Sequence, residues 1–439
     1  MADNHQIPAN PGEIDAAYKK ITRRIIPFLI LGYIAAYLDR SNIGFARVQM
    51  LGDLGFTELV YGFGAGLFYL GYSAFEVPSN LLLKKIGARL TFARIMILWG
   101  IISAGFAFIT TATQFSVMRF LLGAAEAGFF PGVLLYITYW VPSERRARFT
   151  AMFMSALVLS GLIGGPISGA IMAGMDGVAG MRGWQWLFIV EAMPSIILGI
   201  ITLLWLADTP EKAKWLTDRE KAIVKADLAR DASAEQQKTK VSHTLGEAFR
   251  DYRIYILASM AIALVSGIGG LSFWLPTILH QAGIENLLTL GILAGVPYLI
   301  ALGVQQWVAH HSDKTGERRW HVAICAFVCA LAWFLLPSFA SQPWFSLGLL
   351  VVACGGAFGA TGPFWAMPAG FLSGAAAAGG IALVSTLGGM FAFLSPTIVG
   401  WATDQTGSLA AGQYYYGTLF LLAAIILPWG TRNRKPAHG

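Results

Sequence analysis

The sequence predicts an all-α membrane protein, with 12 transmembrane helices in two six-helix bundles related by pseudo-two-fold symmetry. Three observations carry that expectation. Of 439 residues, 56% are hydrophobic, only 13% are charged and 50 are glycine, with a mean hydropathy of +0.60. That is more apolar surface than a water-soluble protein of this size can bury. Twelve apolar runs reach the roughly 20 residues that a helix needs to cross a bilayer. A single long charged stretch divides them six and six.

In the first half the runs fall at about 24–46, 59–82, 92–111, 114–140, 149–173 and 184–207. Span one opens RIIPFLILGYIAA and then carries YLDRSNIGFA, an acid and a base inside an apolar helix. Span two closes on VPSNLLLKKIGAR, span four holds RFLLGAAEAGFFPG, span five GLIGGPISG and span six GWQWLFIVEAMPS. The second half follows at about 252–280, 287–310, 320–340, 343–367, 376–402 and 412–430. The implied organisation is a tail at 1–23, a bundle at 24–207, a linker at 208–251, a second bundle at 252–430 and a tail at 431–439. Weak repeats support a duplication. KKIGAR after span two recurs as SDKTGERR after span eight, and the glycine–proline stretch of span five is matched by GGMFAFLSPTIVG in span eleven. Glycines at such spacing let helix backbones approach closely, which suits bundles that rock against each other.

The basic residues set the orientation. With both termini in the cytoplasm, 26 Lys and Arg residues fall on cytoplasmic segments and only Arg47 and Arg182 on the opposite loops, as the positive-inside rule requires. The net charge of +7 and pI near 9.3 then reflect topology, and no nucleic-acid partner is expected. The first 23 residues are polar and the first apolar run has full span length, so no cleavable signal peptide is expected. Cys325, Cys329 and Cys354 lie within spans and read as packing residues, with no metal site or other cofactor expected. No nucleotide loop, nucleophile elbow or metal-ligand spacing is present, so an enzyme is not expected.

The charges inside spans are the chemical signal. Asp39 lies about 6 Å beyond the centre of span one at 1.5 Å per residue. A charge at that depth costs about 2.5–3.5 kcal/mol even on insertion scales, and such residues normally face a bundle interior or a water-filled cavity. Asp39 and Arg40 point about 100° apart on a helix and need different partners. Span four offers Arg119 and Glu126, seven residues apart and hence on nearly one face. Between residues 254 and 403 the only Asp, Glu, Lys or Arg are Glu285 and the SDKTGERR cluster, all in expected loops. That asymmetry favours proton and anion chemistry in the first bundle and neutral walls from the second. The plainer alternative is an ion-pair network that only fixes helix packing. Glu76 and Glu191, placed toward span ends, are expected to pair with interface groups. His280, His310 and His311 are expected to be interfacial.

Over nearly the whole chain these motifs are similar to the major facilitator superfamily. YLDRSNIGFA, VPSNLLLKKIGAR, RFLLGAAEAGFFPG and GWQWLFIVEAMPS together resemble its anion:cation symporter family, in particular bacterial permeases for tartrate, phthalate and 4-hydroxyphenylacetate. One departure is Lys84, which stands where the superfamily usually has an aspartate three residues before the loop glycine; Asp313 keeps that aspartate in the second half. The resemblance implies the major facilitator fold and substrate contacts at Tyr37 and Tyr72, with Trp365 and Ser385 opposite them in the second bundle.

The resulting expectation is a proton-coupled symporter in the bacterial cytoplasmic (inner) membrane. It would import a small organic carboxylate, either an aromatic acid or a hydroxy acid, by alternating access, and a monomer is expected. Arg40 is the anchor for the substrate carboxylate, because a guanidinium binds carboxylate bidentately and stays charged. Arg119 joins it as a modulator and substrate contact, and Asp39 and Glu126 are the proton sites. Two other readings stay open at this point: a drug:proton antiporter of the same fold, and a membrane sensor or binding protein.

Overall fold

The computed structural model of the chain describes residues 10–238, 251–367 and 374–430; expectations for the distal parts of both tails and for residues 239–250 fall outside them. Helices carry all twelve spans. The first six are Pro11–Leu54, Glu58–Ile86, Ala88–Gly105, a broken pair Ala112–Glu126 and Phe129–Trp140, Ser143–Gly174, and Gly183–Trp205. The second six are Tyr252–Gln281, Leu287–Thr315, Arg319–Leu335, Pro343–Ala366, Gly374–Thr406 and Ala410–Gly430. Glu58–Ile86 is long enough to cross a bilayer, although its glycines and tyrosines dilute its hydropathy below that of the other eleven.

Span one is much longer than its apolar run, and local chemistry explains why. Asn10 accepts from the Gly12 N–H while Glu13 reaches back to the Asn10 N–H, a capping box with Pro11 in the first turn. The helix therefore starts at Pro11, and residues 11–23, expected as a tail, form helical turns in front of the span. The linker contains a helix, Asp218–Lys238, which lies on those turns. Tyr18 donates to Asp227 at 2.8 Å, Lys20 pairs with Glu220 at 2.8 Å and Arg219 with Glu13 at 3.0 Å.

The two bundles meet along two seams. Span five packs on span eight, and span two on span eleven. Under a six-plus-six duplication each seam is the image of the other, so the helices whose repeats the sequence shows are the ones that touch. At the first seam a Cβ on Gly165 would meet the Gly291 carbonyl, and one on Gly291 the Gly165 carbonyl; at the second, Gly62 faces the Pro396 carbonyl and Gly400 the Glu58 carbonyl. Only glycine permits backbones this close.

Among the described residues, the hydrogen bonds that cross between bundles run from mid-depth toward one end of the molecule. Tyr37 and Ser272 bond at 3.1 Å, and Tyr61 donates to the Phe273 carbonyl at 3.2 Å. At the far end Arg47 pairs with Glu58 and donates to Thr277. Asp404, on the last turn of span eleven, accepts the Glu58 and Leu59 N–H groups at 2.9 Å each. These are orphan donors at the start of span two, where a carboxylate is doubly favoured by hydrogen bonding and the helix dipole. This latch lies away from the basic loops. Toward the basic loops, Trp365 of the wall between the bundles is 43% exposed. The structure is closed at the latch end and open at the basic end.

Asp404→Asn removes the charge and one of the two acceptors. It should shift the population toward opening at the latch end by about three- to tenfold, since a surface charge-assisted bond contributes on the order of 1 kcal/mol. Spin-label distances across the outer ends of spans two and eleven measure this; an unchanged distribution would show that the latch does not hold that end closed.

Candidate functional site

Between the bundles lies a cavity of about 200 Å³. The first bundle lines it with Tyr37, Arg40, Ser41 and Tyr69; the second supplies Ser272, Thr361 and Trp365 among apolar side chains of span seven. Every lining residue from the second bundle is uncharged. Among the described residues, Arg40 is the only charged one on the wall.

The side chain of Arg40 is held from behind. Its Nε donates to Glu126 Oε2 at 2.6 Å, with Arg40 at 20% and Glu126 at 0% exposure. The guanidinium carbon sits 4.9 Å from the Tyr72 ring and 5.3 Å from that of Phe68, so two rings fix its plane by cation–π attraction. Among the described residues, its Nη2 has no hydrogen-bond partner, and neither does Glu126 Oε1. A buried charge pair of this kind is costly to break, about 3–5 kcal/mol when one partner is removed.

A break in span four places Glu126. The helix stops at Glu126 and restarts at Phe129, with Ala127 extended (φ −55, ψ 131) and Gly128 left-handed (φ 88, ψ −4) between them. Only glycine takes that conformation cheaply, and a Cβ there would come within 2.6 Å of the Ser79 side chain. The AEAG stretch thus ends the helix at the residue whose carboxylate meets span one.

The other expected site residues separate. Asp39 neighbours Arg40 in sequence but faces the opposite way, into the core of the first bundle. It is fully buried and accepts from Ser103 at 2.6 Å and Ser195 at 3.0 Å, on spans three and six, where span four had been expected to partner it. Arg119, expected beside Glu126, is 1% exposed, faces the Gly64 and Ala65 carbonyls at 3.4 and 3.5 Å and lies 5.0 Å over Phe68. It forms no ion pair among the described residues and does not line the cavity. Tyr72 supports Arg40 and is not on the cavity wall; Tyr69, one turn earlier, is. Trp365 lines the cavity, whereas Ser385 is exposed on span eleven outside it. Glu191, expected at an interface, is 2% exposed; its Oε1 accepts from Ser168 at 2.7 Å, and its Oε2 makes no hydrogen bond among the described residues. Residues missed by sequence reasoning are Tyr69, Ser272, Thr361 and, at the latch, Asp404. For Asp404 a signal existed, an acid just past an apolar run, but its partner is a backbone terminus in the other bundle.

The family model of the Major Facilitator Superfamily matches residues 29–396. The chain belongs to the major facilitator superfamily. Within the superfamily, a putative tartrate transporter of Agrobacterium vitis is 45% identical over 409 residues, covering 93% of each chain. A quinolone resistance transporter of Acinetobacter baumannii is 39% identical over 408 residues, covering 93% of each. The fold matches that of the xylose transporter XylE from E. coli, solved in an inward-open conformation, with a TM-score of 0.73 at 14% identity over 94% of this chain and 97% of that one. This superfamily member is therefore a multi-pass membrane transporter, not an enzyme.

Gly128→Ala should destabilise the transporter by about 1–3 kcal/mol, because alanine pays for the left-handed backbone and crowds Ser79. As the strain relaxes by moving Glu126 off Arg40, uptake should fall with it. A purified variant with an unchanged thermal midpoint and full uptake would show that the break does not depend on glycine.

Proposed function

We propose that this transporter imports a small organic carboxylate together with protons. The observation that carries the reading is the single guanidinium on a cavity wall otherwise uncharged among the described residues, oriented by two aromatic rings, with one nitrogen, Nη2, that is buried and unpartnered among those residues. A planar fork of that kind matches a carboxylate. Tyr37, Tyr69, Ser272 and Thr361 supply hydroxyls around it, and Trp365 an apolar face, a lining suited to a small polar anion. The tartrate-transporter name of a relative at 45% identity agrees with it.

Coupling follows from competition for Arg40. A substrate carboxylate that engages the guanidinium takes from Glu126 its one ion-pair partner among the described residues, and an unpaired carboxylate with no solvent exposure is relieved by taking up a proton. Substrate and proton then favour each other's binding by the same factor. Asp39, held by two serines and no cation, is the second proton site, and Arg119 acts on Glu126 through Phe68 and the span-two backbone. Rocking about the two glycine seams moves the cavity from one face to the other.

Drug:proton antiport is the second reading, favoured by the quinolone-resistance relative. Uptake of labelled aliphatic, sugar and aromatic carboxylates into right-side-out vesicles under an inward proton gradient separates the two. Accumulation of one of them is expected; efflux of a drug against that gradient with no carboxylate accumulation would replace the proposal by antiport.

Arg40→Lys keeps the charge but loses the fork, so substrate affinity should fall about tenfold or more, on the order of 1.4 kcal/mol. Undiminished binding would remove Arg40 from the site. Glu126→Gln, a permanent mimic of the protonated form, should abolish gradient-driven accumulation but retain exchange of labelled for unlabelled substrate, which needs no net proton movement. Full accumulation in that variant would exclude Glu126 as an essential carrier, and loss of both activities in folded protein would favour a purely structural ion pair.

A further inference from the structure

At the basic end of the molecule, outside the bundle interface, two adjoining hollows of about 580 and 530 Å³ share Arg24, Trp205 and Trp215 as a common wall. The first is bounded further by Arg89, Asp208, Lys212 and Lys214, the second by Lys19, Lys20 and Arg23. All of these belong to the first bundle or its linker, so the cleft is separate from the translocation cavity.

The arrangement of Arg24 is not explained by the transport cycle. Its guanidinium carbon lies 4.7 Å from the Trp205 ring centroid and 5.3 Å from that of Trp215. The rings are themselves fixed: Trp215 stacks on Trp140 at 5.6 Å and 5°, and Trp205 packs on Phe28 at 5.1 Å. Arg24 Nε is buried with no hydrogen-bond partner, and no carboxylate among the described residues pairs with this side chain. Lys19, Arg23, Arg89 and Lys214 also make no ion pair among those residues. The one acid of the cleft, Asp208, is already engaged by Lys212 at 3.2 Å and by the Arg89 N–H at 2.9 Å, and Lys20 is taken by Glu220.

Five uncompensated cations around an indole-walled hollow call for a multiply hydrogen-bonding anion. The depth of the cleft says which kind. Trp205 is the last helical residue of span six, and Leu204, 85% exposed, lines the same hollow, so the cleft straddles the boundary between hydrocarbon and headgroups where tryptophan is enriched. A free solute would use the cations and leave Leu204 in contact with lipid chains for no purpose. A ligand with a phosphate head and acyl tails uses both.

We infer that this cleft binds the phosphate headgroup of an anionic phospholipid, clamping the linker to spans one and six. The full-length protein in neutral detergent, titrated with phosphatidylglycerol, should show a saturable rise in thermal midpoint. Phosphatidylcholine and inorganic phosphate at matched ionic strength should give none. Arg89→Gln combined with Lys214→Gln, both exposed positions outside the packed rings, should weaken apparent phosphatidylglycerol affinity about tenfold or more, as expected for two basic residues at a membrane surface. Lys314→Gln, on a basic loop of the second half, should leave it unchanged. An equal response to phosphatidylcholine, an equal loss in Lys314→Gln, or no loss in the double variant would overturn the site, and a midpoint shift by inorganic phosphate alone would reassign it from lipid to free anion.

Discussion

A charge inside a membrane protein must be answered by another charge, a hydrogen bond or water, and the pairing of Arg40 with Glu126 is the form that answer takes here. Much of the first bundle can be traced to it. Span four is interrupted after Glu126 by a left-handed glycine, and Tyr72 and Phe68 on span two present their ring faces to the guanidinium. The pair is incomplete on both sides, since Arg40 Nη2 and Glu126 Oε1 lack partners. An ion pair built only for packing would gain by satisfying those atoms.

The second constraint is how two rigid bundles remain in contact while leaving room to move. Side chains that interdigitate deeply would lock one arrangement. The seams use glycine instead, so backbone lies directly on backbone at Gly165 and Gly291 and again at Gly62 and Gly400. Among the described residues, hydrogen bonds across the interface run from Tyr37 and Ser272 at mid-depth to the latch end, where Asp404 caps the start of span two and Arg47 donates to Thr277. Close packing costs little to rearrange; the latch is a small set of hydrogen bonds that water can replace. The closed end is thus held by few, exchangeable interactions, as alternation between two states of similar energy requires.

The twelve spans, their six-plus-six division and the paired repeats were legible from composition and spacing, because the bilayer imposes apolar runs of a minimum length; the extra turns ahead of span one and the break in span four were not. Part of the cavity's first-half wall was legible too: an arginine in an apolar helix is costly to bury without a partner or a cavity, and Arg40, like Tyr37, lines the cavity. Partners were less legible. Asp39 and Arg40 are adjacent, yet one enters the bundle core toward Ser103 and Ser195 and the other the cavity toward Glu126. Arg119 and Glu126 share one face of the unbroken helix Ala112–Glu126, but two turns apart along it they meet different neighbours: Glu126 reaches Arg40 on span one, while Arg119 lies over Phe68 against span-two carbonyls. Tyr72 and Tyr69 differ by one helical turn, and which of them reaches the cavity depends on the tilt of span two.

What the sequence by itself determined is whatever one helix decides alone: that a segment spans, which residues charge it, where a glycine must stand and on which side the basic loops gather. Those follow from transfer energies and backbone sterics, which are local. What only the tertiary structure decided is who meets whom: Glu126 with Arg40, Asp404 with the start of span two, Arg24 between Trp205 and Trp215. Each of these contacts joins segments tens to hundreds of residues apart. Its geometry depends on the rotation and tilt of every helix between them, which packing of the whole bundle sets and no periodicity records.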